Sequence, residues 1–214
     1  MFNAMRFPRK YARIALLVIC ALFIWATVLV ASADALPRNA QHYQRDLTRH
    51  ARNIWGMDAP VAMFGAQIHQ ESRWRTDAQS TVGAQGIAQI MPGTAEWVAG
   101  AYKLGEPQPY SPGWAMRALV NYDRYLWQQI DAANPCERAA MMLSAYNGGL
   151  GWVYRDQQLA AKNGHDRRRW FSMVELFNAG RSKANFDENR NYPRVILIRW
   201  QPIYTSWGGT ITCS

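Results

Sequence analysis

ESRWRTDAQSTVGAQGIAQIMPGTA, residues 71–95, opens at the end of one helix and closes at the start of the next. Upstream of it, residues 59–72 read as a helix. Asp58 can cap its N-terminus and Pro60 suits its first turn. Val61, Phe64, Gln67, Ile68 and Glu71 recur on one face at helical spacing. Within the quoted stretch, 73–86 carries Thr, Asp, Ser and two Gly and reads as a loop. Residues 87–91 are a short apolar run closed by Pro92, and Gly93-Thr94 opens a helix to about residue 99. Glu71 thus sits at a helix C-terminus, on the apolar stripe below Phe64 and Ile68. Burial disfavours its carboxylate, and so does the negative end of the helix dipole. Both raise its pKa, as a general acid working near neutral pH requires.

Outward from this stretch, 103–113 holds three Pro and two Gly and is a loop. Helical patterns follow at 114–131 and 137–146, the second stopped by Asn147-Gly148-Gly149, where glycine accepts left-handed backbone. Residues 166–177 and 189–204 read as further helices, the last broken near Pro202. Residues 34–53 are polar with scattered apolar positions and read as a loose lead-in. β-rich runs are few and there is no repeat. The expectation is a mainly α, single-domain protein over 54–214.

The N-terminus is set apart from the fold. Arg6, Arg9, Lys10 and Arg13 form a basic stretch without an acidic residue, and residues 14–30 are apolar except Thr27. Ala31-Ser32-Ala33 then supplies the small residues that signal peptidase prefers. Residues 1–33 are either a cleaved signal peptide or a retained membrane anchor; Ile19 before Cys20 argues against a lipoprotein. Either way the remainder crosses the inner membrane, to a periplasmic or secreted location.

Setting the four leader cations aside takes the formal net charge from +9 to +5, an excess that suits an anionic polymer such as the cell wall. No nucleic-acid motif accompanies it, and Arg167-Arg168-Arg169 reads as a solvated loop. Cys136 and Cys213 remain beyond the leader. In an oxidising compartment they are the expected pair, tying the C-terminal tail to a helix. Ten Trp and ten Tyr either pack the interior or offer faces on which sugar rings stack. His69 is two residues before Glu71, but the second histidine of a zinc motif would fall at Arg73, so no metal and no cofactor is expected.

Glu71-Ser72, a loop, Gly86 and Gln89, then Met91-Pro92 and Thr94-Ala95 form a chain of short motifs. SAYNGGLGWV adds Ala145, Tyr146, Asn147 and Gly149, and ENRNYPRVI adds Glu188 and Tyr192. In this order they resemble the lytic transglycosylase family of the soluble-lytic-transglycosylase type, within the lysozyme-like superfamily. Ile87-Ala88 departs from the Leu-Met usual in that family. The resemblance implies a lysozyme-like domain acting on peptidoglycan glycan strands. Glu71 would protonate the oxygen between N-acetylmuramic acid and N-acetylglucosamine. As carboxylate it would then take the proton of the muramyl C6 hydroxyl while that oxygen closes a 1,6-anhydro ring.

By the same resemblance Tyr192 would orient Glu71, Tyr146 and Asn147 would line the sugar cleft, Gln89 would hydrogen-bond a sugar, and Ser72 would fix the substrate or Glu71. No second carboxylate stands out near Glu71: Asp77 reads as a loop residue and Glu188 as an acid pairing helices. A hydrolysing muramidase, which needs such an acid, and a wall-binding scaffold are the competing readings. Small members of the family also serve secretion or conjugation machines, whose components would then be partners.

Overall fold

A computed structural model describes residues 36–213. The signal or anchor expected over 1–33 lies outside the described residues. Seven α-helices carry the described chain: α1 Ala40–Trp55, α2 Val61–Ser72, α3 Pro92–Ala101, α4 Pro112–Gln129, α5 Pro135–Gly148, α6 Leu150–Lys162 and α7 Lys183–Arg194. A π-helical stretch, Val195–Trp200, and a 3-10 stretch, Gln201–Trp207, complete the C-terminal arm. No strand forms among the described residues. Two isolated bridges, Gln79 with Gln85 and Gln85 with Ile90, fold the loop between α2 and α3 onto itself. None of the described helices is long and apolar enough to cross a membrane.

α2 is the central element. Val61 to His69 are buried on every side, so this helix has no solvent face, and its polar Gln67 and His69 turn inward with the rest. It packs against α1 and against the π and 3-10 stretches of the C-terminal arm. Its start differs from expectation: the residue flanking the first turn is Pro60, and Asp58 makes no cap bond. α1 lies on α4, α3 on α4, α4 and α6 on α5, and α7 on α5. The helices expected at 114–131 and 137–146 are α4 and α5, each lengthened at its start by a proline in the first turn.

Four segments depart from the sequence reading, one of them α6, over which no helix is expected. Most of the stretch expected as a loose lead-in is α1. Ala40, Tyr43, Leu47 and Ala51, spaced by three or four residues, turn inward, while arginines take the solvent side. Residues 166–177, expected as a helix, are turns ending in a single 3-10 turn, Val174–Leu176. The Glu137 carboxylate takes the amides of Trp170 (2.6 Å) and Phe171 (3.0 Å), and Glu175 takes that of Ser172 (2.7 Å), which removes the donors a helix would use. The C-terminal helix starts six residues early and contains Pro193, which has no N–H; past it the backbone widens into the π stretch.

Cys136 of α5 and Cys213 are joined by a disulfide with Cα atoms 5.2 Å apart, closing a loop of 77 residues. Replacing both cysteines by serine frees that loop in the unfolded chain and is expected to cost about 2–5 kcal/mol. Urea unfolding of the oxidised chain and the double variant measures it. Equal midpoints would mean the link adds nothing.

Candidate active site

The last turn of α2 presents Glu71 to a cleft of about 360 Å³. Two consecutive left-handed residues, Arg73 (φ 53°) and Trp74 (φ 65°), turn the chain out of that helix. Neither is glycine, so the turn is strained and needs support. Trp74 supplies it. Its buried indole stacks on Tyr43 with centroids 5.9 Å apart and donates Nε1–H to the Tyr204 hydroxyl at 2.7 Å. Ser72 is buried too, and its Oγ donates to the Ile87 carbonyl at 2.8 Å, fastening the returning loop to the helix end. Its hydroxyl is thus committed to a backbone carbonyl.

Across the cleft, α7 brings Tyr192, whose hydroxyl donates to Glu71 Oε1 across 121 residues of sequence. α7 can approach because α5 ends in glycine: a Cβ on Gly148 would lie 2.7 Å from Asn189 Nδ2. Asn189 instead ties the two helices together. Its amide donates to the Ser144 carbonyl (2.8 Å) and to Asn147 Oδ1 (2.9 Å), and its Oδ1 accepts from the Ser144 hydroxyl (2.8 Å). Asn147 donates in turn to Glu188 Oε1 at 3.1 Å. Gly149, at φ 96°, stops α5 as expected of a glycine there.

Glu71, Gln89, Tyr146, Asn147 and Tyr192 all line one cleft, with Glu188 on its rim. Gln89 is held at φ 46° with both protons of its amide on loop carbonyls, Ala78 (3.1 Å) and Gly86 (2.9 Å). It can therefore accept from a sugar hydroxyl through Oε1 but has no proton left to give. Tyr146 donates to the Ala88 carbonyl at 2.7 Å, offering the ligand its ring rather than its proton. Asp77 is exposed and is not among the cleft residues.

Two cleft features were not read from the sequence. Tyr122 lies beside Tyr146 with ring centroids 5.5 Å apart. Asp123, its neighbour on α4, is fully buried, with Oδ1 only 3.4 Å from Gln67 Nε2 and Oδ2 without a hydrogen-bond partner among the described residues. The inward spacing of Asp123 and Leu126 on α4 was the available signal, but a helix period does not distinguish a buried acid from an exposed one.

Glu71 is half-buried as a residue, and its carboxylate is met by the Tyr192 hydroxyl. Burial pushes its pKa from 4.5 to about 8, a shift the Tyr192 hydrogen bond opposes and the Glu188 charge reinforces. Burial likewise pushes Asp123 well above the carboxylate range, helped by Glu71. The phenols of Tyr146 and Tyr192 are pushed up first by burial and then by the Glu71 charge, so both remain neutral.

The raised Glu71 pKa has a stability consequence. Below about pH 4.5 the carboxyl is protonated in folded and unfolded chains alike, with no cost to folding. Between about pH 4.5 and 8 the unfolded chain ionises and the folded one resists, so stability falls; above about 8 the penalty is constant. Glu71→Gln removes the penalty. Its gain over the wild type in urea unfolding is expected to be absent at pH 4 and full near pH 9, whereas a gain independent of pH would refute the raised pKa.

A family model described as Transglycosylase SLT domain matches residues 47–169. A membrane-bound lytic murein transglycosylase F of Desulfosudis oleivorans is 31% identical over 151 residues, covering 70% of this chain and 32% of the relative. A soluble lytic murein transglycosylase of Salmonella typhimurium is 31% identical over 137 residues, covering 62% and 20%. The chain thus spans a third or less of the length of these relatives. Among solved structures, an inactive mutant of the lytic transglycosylase Slt from Pseudomonas aeruginosa superposes with TM-score 0.59 and 25% identity. It covers 77% of this chain and 24% of that one.

Proposed function

The chain belongs to the Transglycosylase SLT domain family, and we propose that it cuts peptidoglycan glycan strands as a lytic transglycosylase with Glu71 as its single acid and base. The observation that carries this reading is the Tyr192 hydrogen bond to a carboxyl whose pKa stands at about 8. At neutral pH Glu71 is mostly protonated and can give its proton to the glycosidic oxygen as the muramyl C1–O bond breaks. The carboxylate so formed accepts the C6 hydroxyl proton while the C6 oxygen bonds to C1. Glu71 returns to its starting state, and no water is consumed.

The scarcity of a second base supports this route over hydrolysis. Asp123 is fully buried, and Glu188 accepts from Asn147. The names of the relatives support the substrate. Residues 1–33 would carry the domain across the inner membrane and either leave it or anchor it there. Service to a secretion or conjugation machine is a narrower role within the same activity.

Incubating purified sacculi with the oxidised protein tests the proposal. Soluble muropeptide-bearing fragments are the expected result. Sacculi that bind the protein but remain intact would make it a wall-binding scaffold instead.

A further inference from the structure

Two buried polar side chains near Glu71 take no part in the proposed reaction. Gln67 on α2 and Asp123 on α4 are both fully buried. Gln67 stands one turn before Glu71 on the same face of its helix. Its Nε2 donates to Asp123 Oδ1 at 3.4 Å, longer than an ordinary hydrogen bond. The other two atoms of the pair, Gln67 Oε1 and Asp123 Oδ2, have no hydrogen-bond partner among the described residues. With Asp123 ionised both are acceptors, and two buried acceptors without a donor are costly. Neighbouring hydroxyls do not supply the donor. Tyr146 donates to the Ala88 carbonyl and Tyr192 to Glu71. Tyr122 lines the cleft, and adjacent residues on a helix point apart, so Asp123 turns away from it.

We propose that Asp123 is a positioning residue held as a carboxylic acid, its Oδ2 proton given to Gln67 Oε1, so that acid and amide close a two-bond ring between α4 and the helix that carries Glu71. One proton satisfies both unpartnered acceptors. An acid and an amide suit each other here, since each sets one donor beside one acceptor. The ring holds the face of α2 on which Glu71 lies one turn later. Its value for catalysis rests on the glycan-cleaving reading. Between its two proton transfers Glu71 is a carboxylate, and an ionised Asp123 would put a second negative charge in the same buried surroundings. As an acid it adds none. The titratable groups around Asp123 favour that state. Burial and then the Glu71 charge raise its pKa. The phenols of Tyr122 on α4, Tyr146 on α5 and Tyr192 on α7 would each be pushed further up by an Asp123 charge. All four neighbours are acids, so none of them attracts a carboxylate by its charge.

Infrared difference spectroscopy on the full oxidised chain reads the proton directly. Glu71→Gln is compared with and without Asp123→Asn near neutral pH, so that Glu71 gives no signal. The expected loss is the carbonyl band of a protonated carboxylic acid. Loss of carboxylate bands instead would overturn the proposal. Cleavage of sacculi supplies the second reading. Asp123→Leu removes both bonds of the ring and is expected to slow cleavage about tenfold or more. Asp123→Asn can replace the donor and the acceptor of the acid. It is expected to restore most of that loss and to keep the alkaline fall in activity at about pH 8. Were Asp123 ionised, Asp123→Asn would remove a like charge beside Glu71, lower the Glu71 pKa and move that fall to lower pH, which would also overturn the proposal. Thermal melting shows whether each variant folds. If Asp123→Leu does not, the infrared bands and the pH profile of Asp123→Asn still decide. Either contrary result, with the wild type still cutting sacculi, would overturn the role of Asp123 alone. Sacculi left intact by the wild type would instead remove the glycan reading beneath it.

Discussion

Glu71→Gln is expected to lower the release of soluble fragments from purified sacculi by roughly a thousandfold or more, with the fold intact. The amide keeps the size of the side chain and can still meet the Tyr192 hydroxyl, so the cleft retains its shape. What it loses is the proton at the first step and the base at the second, both from one group. The two losses cannot be offset by a neighbour, since Asp123 is walled in and Glu188 is exposed at the rim and engaged by Asn147. Wild-type activity should also fall as pH rises through about 8, where Glu71 loses the proton it must give. Residual cleavage within tenfold of the wild type would mean another acid does the work.

Asp156→Ala is expected to destabilise the fold by about 3–5 kcal/mol. Asp156 is fully buried on α6 and bridges two buried arginines, Arg181 at 2.5 Å and Arg190 at 2.7 Å, while also accepting the Ala179 amide. Arg181 depends on it heavily, because its Nε and Nη2 have no hydrogen-bond partner among the described residues. Removing the carboxylate would strand two guanidinium charges away from water. Arg190 belongs to α7, the helix that carries Glu188, Asn189 and Tyr192, so cleavage should weaken along with stability. The exposed Lys183–Asp187 pair is the contrast: Asp187→Ala should cost less than about 1 kcal/mol. Urea unfolding of the two variants side by side checks the difference. Equal effects would mean that burial does not set the value of these pairs.

The same network explains what the sequence hid. The inward side of α6 is Val153, Asp156, Gln157 and Ala160, half of it polar, so no apolar period marks the helix and it was not anticipated. α1 was hidden for a related reason, since only Ala40, Leu47 and Ala51 in its sixteen residues are fully buried. Residues 166–177 have the opposite character: a helical pattern is present, but carboxylates distant in sequence, Glu137 above all, claim its amides. These outcomes depend on partners that no local window contains.

The site was more legible, because its short motifs are fixed by local geometry. Glu71 at a helix end, the glycine stop at 149 and the proline start of α3 can each be read within a few residues. Their convergence with Tyr192 came from the resemblance and not from spacing. The committed hydroxyl of Ser72 and the spent amide protons of Gln89 became visible only with the loop carbonyls in place.

In the proposed reaction Glu71 works alone, and a sugar hydroxyl, not water, attacks the muramyl C1. Digesting sacculi in water enriched in heavy oxygen, and weighing the new muramyl ends, tests it most directly. The predicted ends are lighter than reducing ends by one water and carry no heavy oxygen. Reducing ends bearing heavy oxygen would mean that water attacks C1 and make the enzyme a hydrolase.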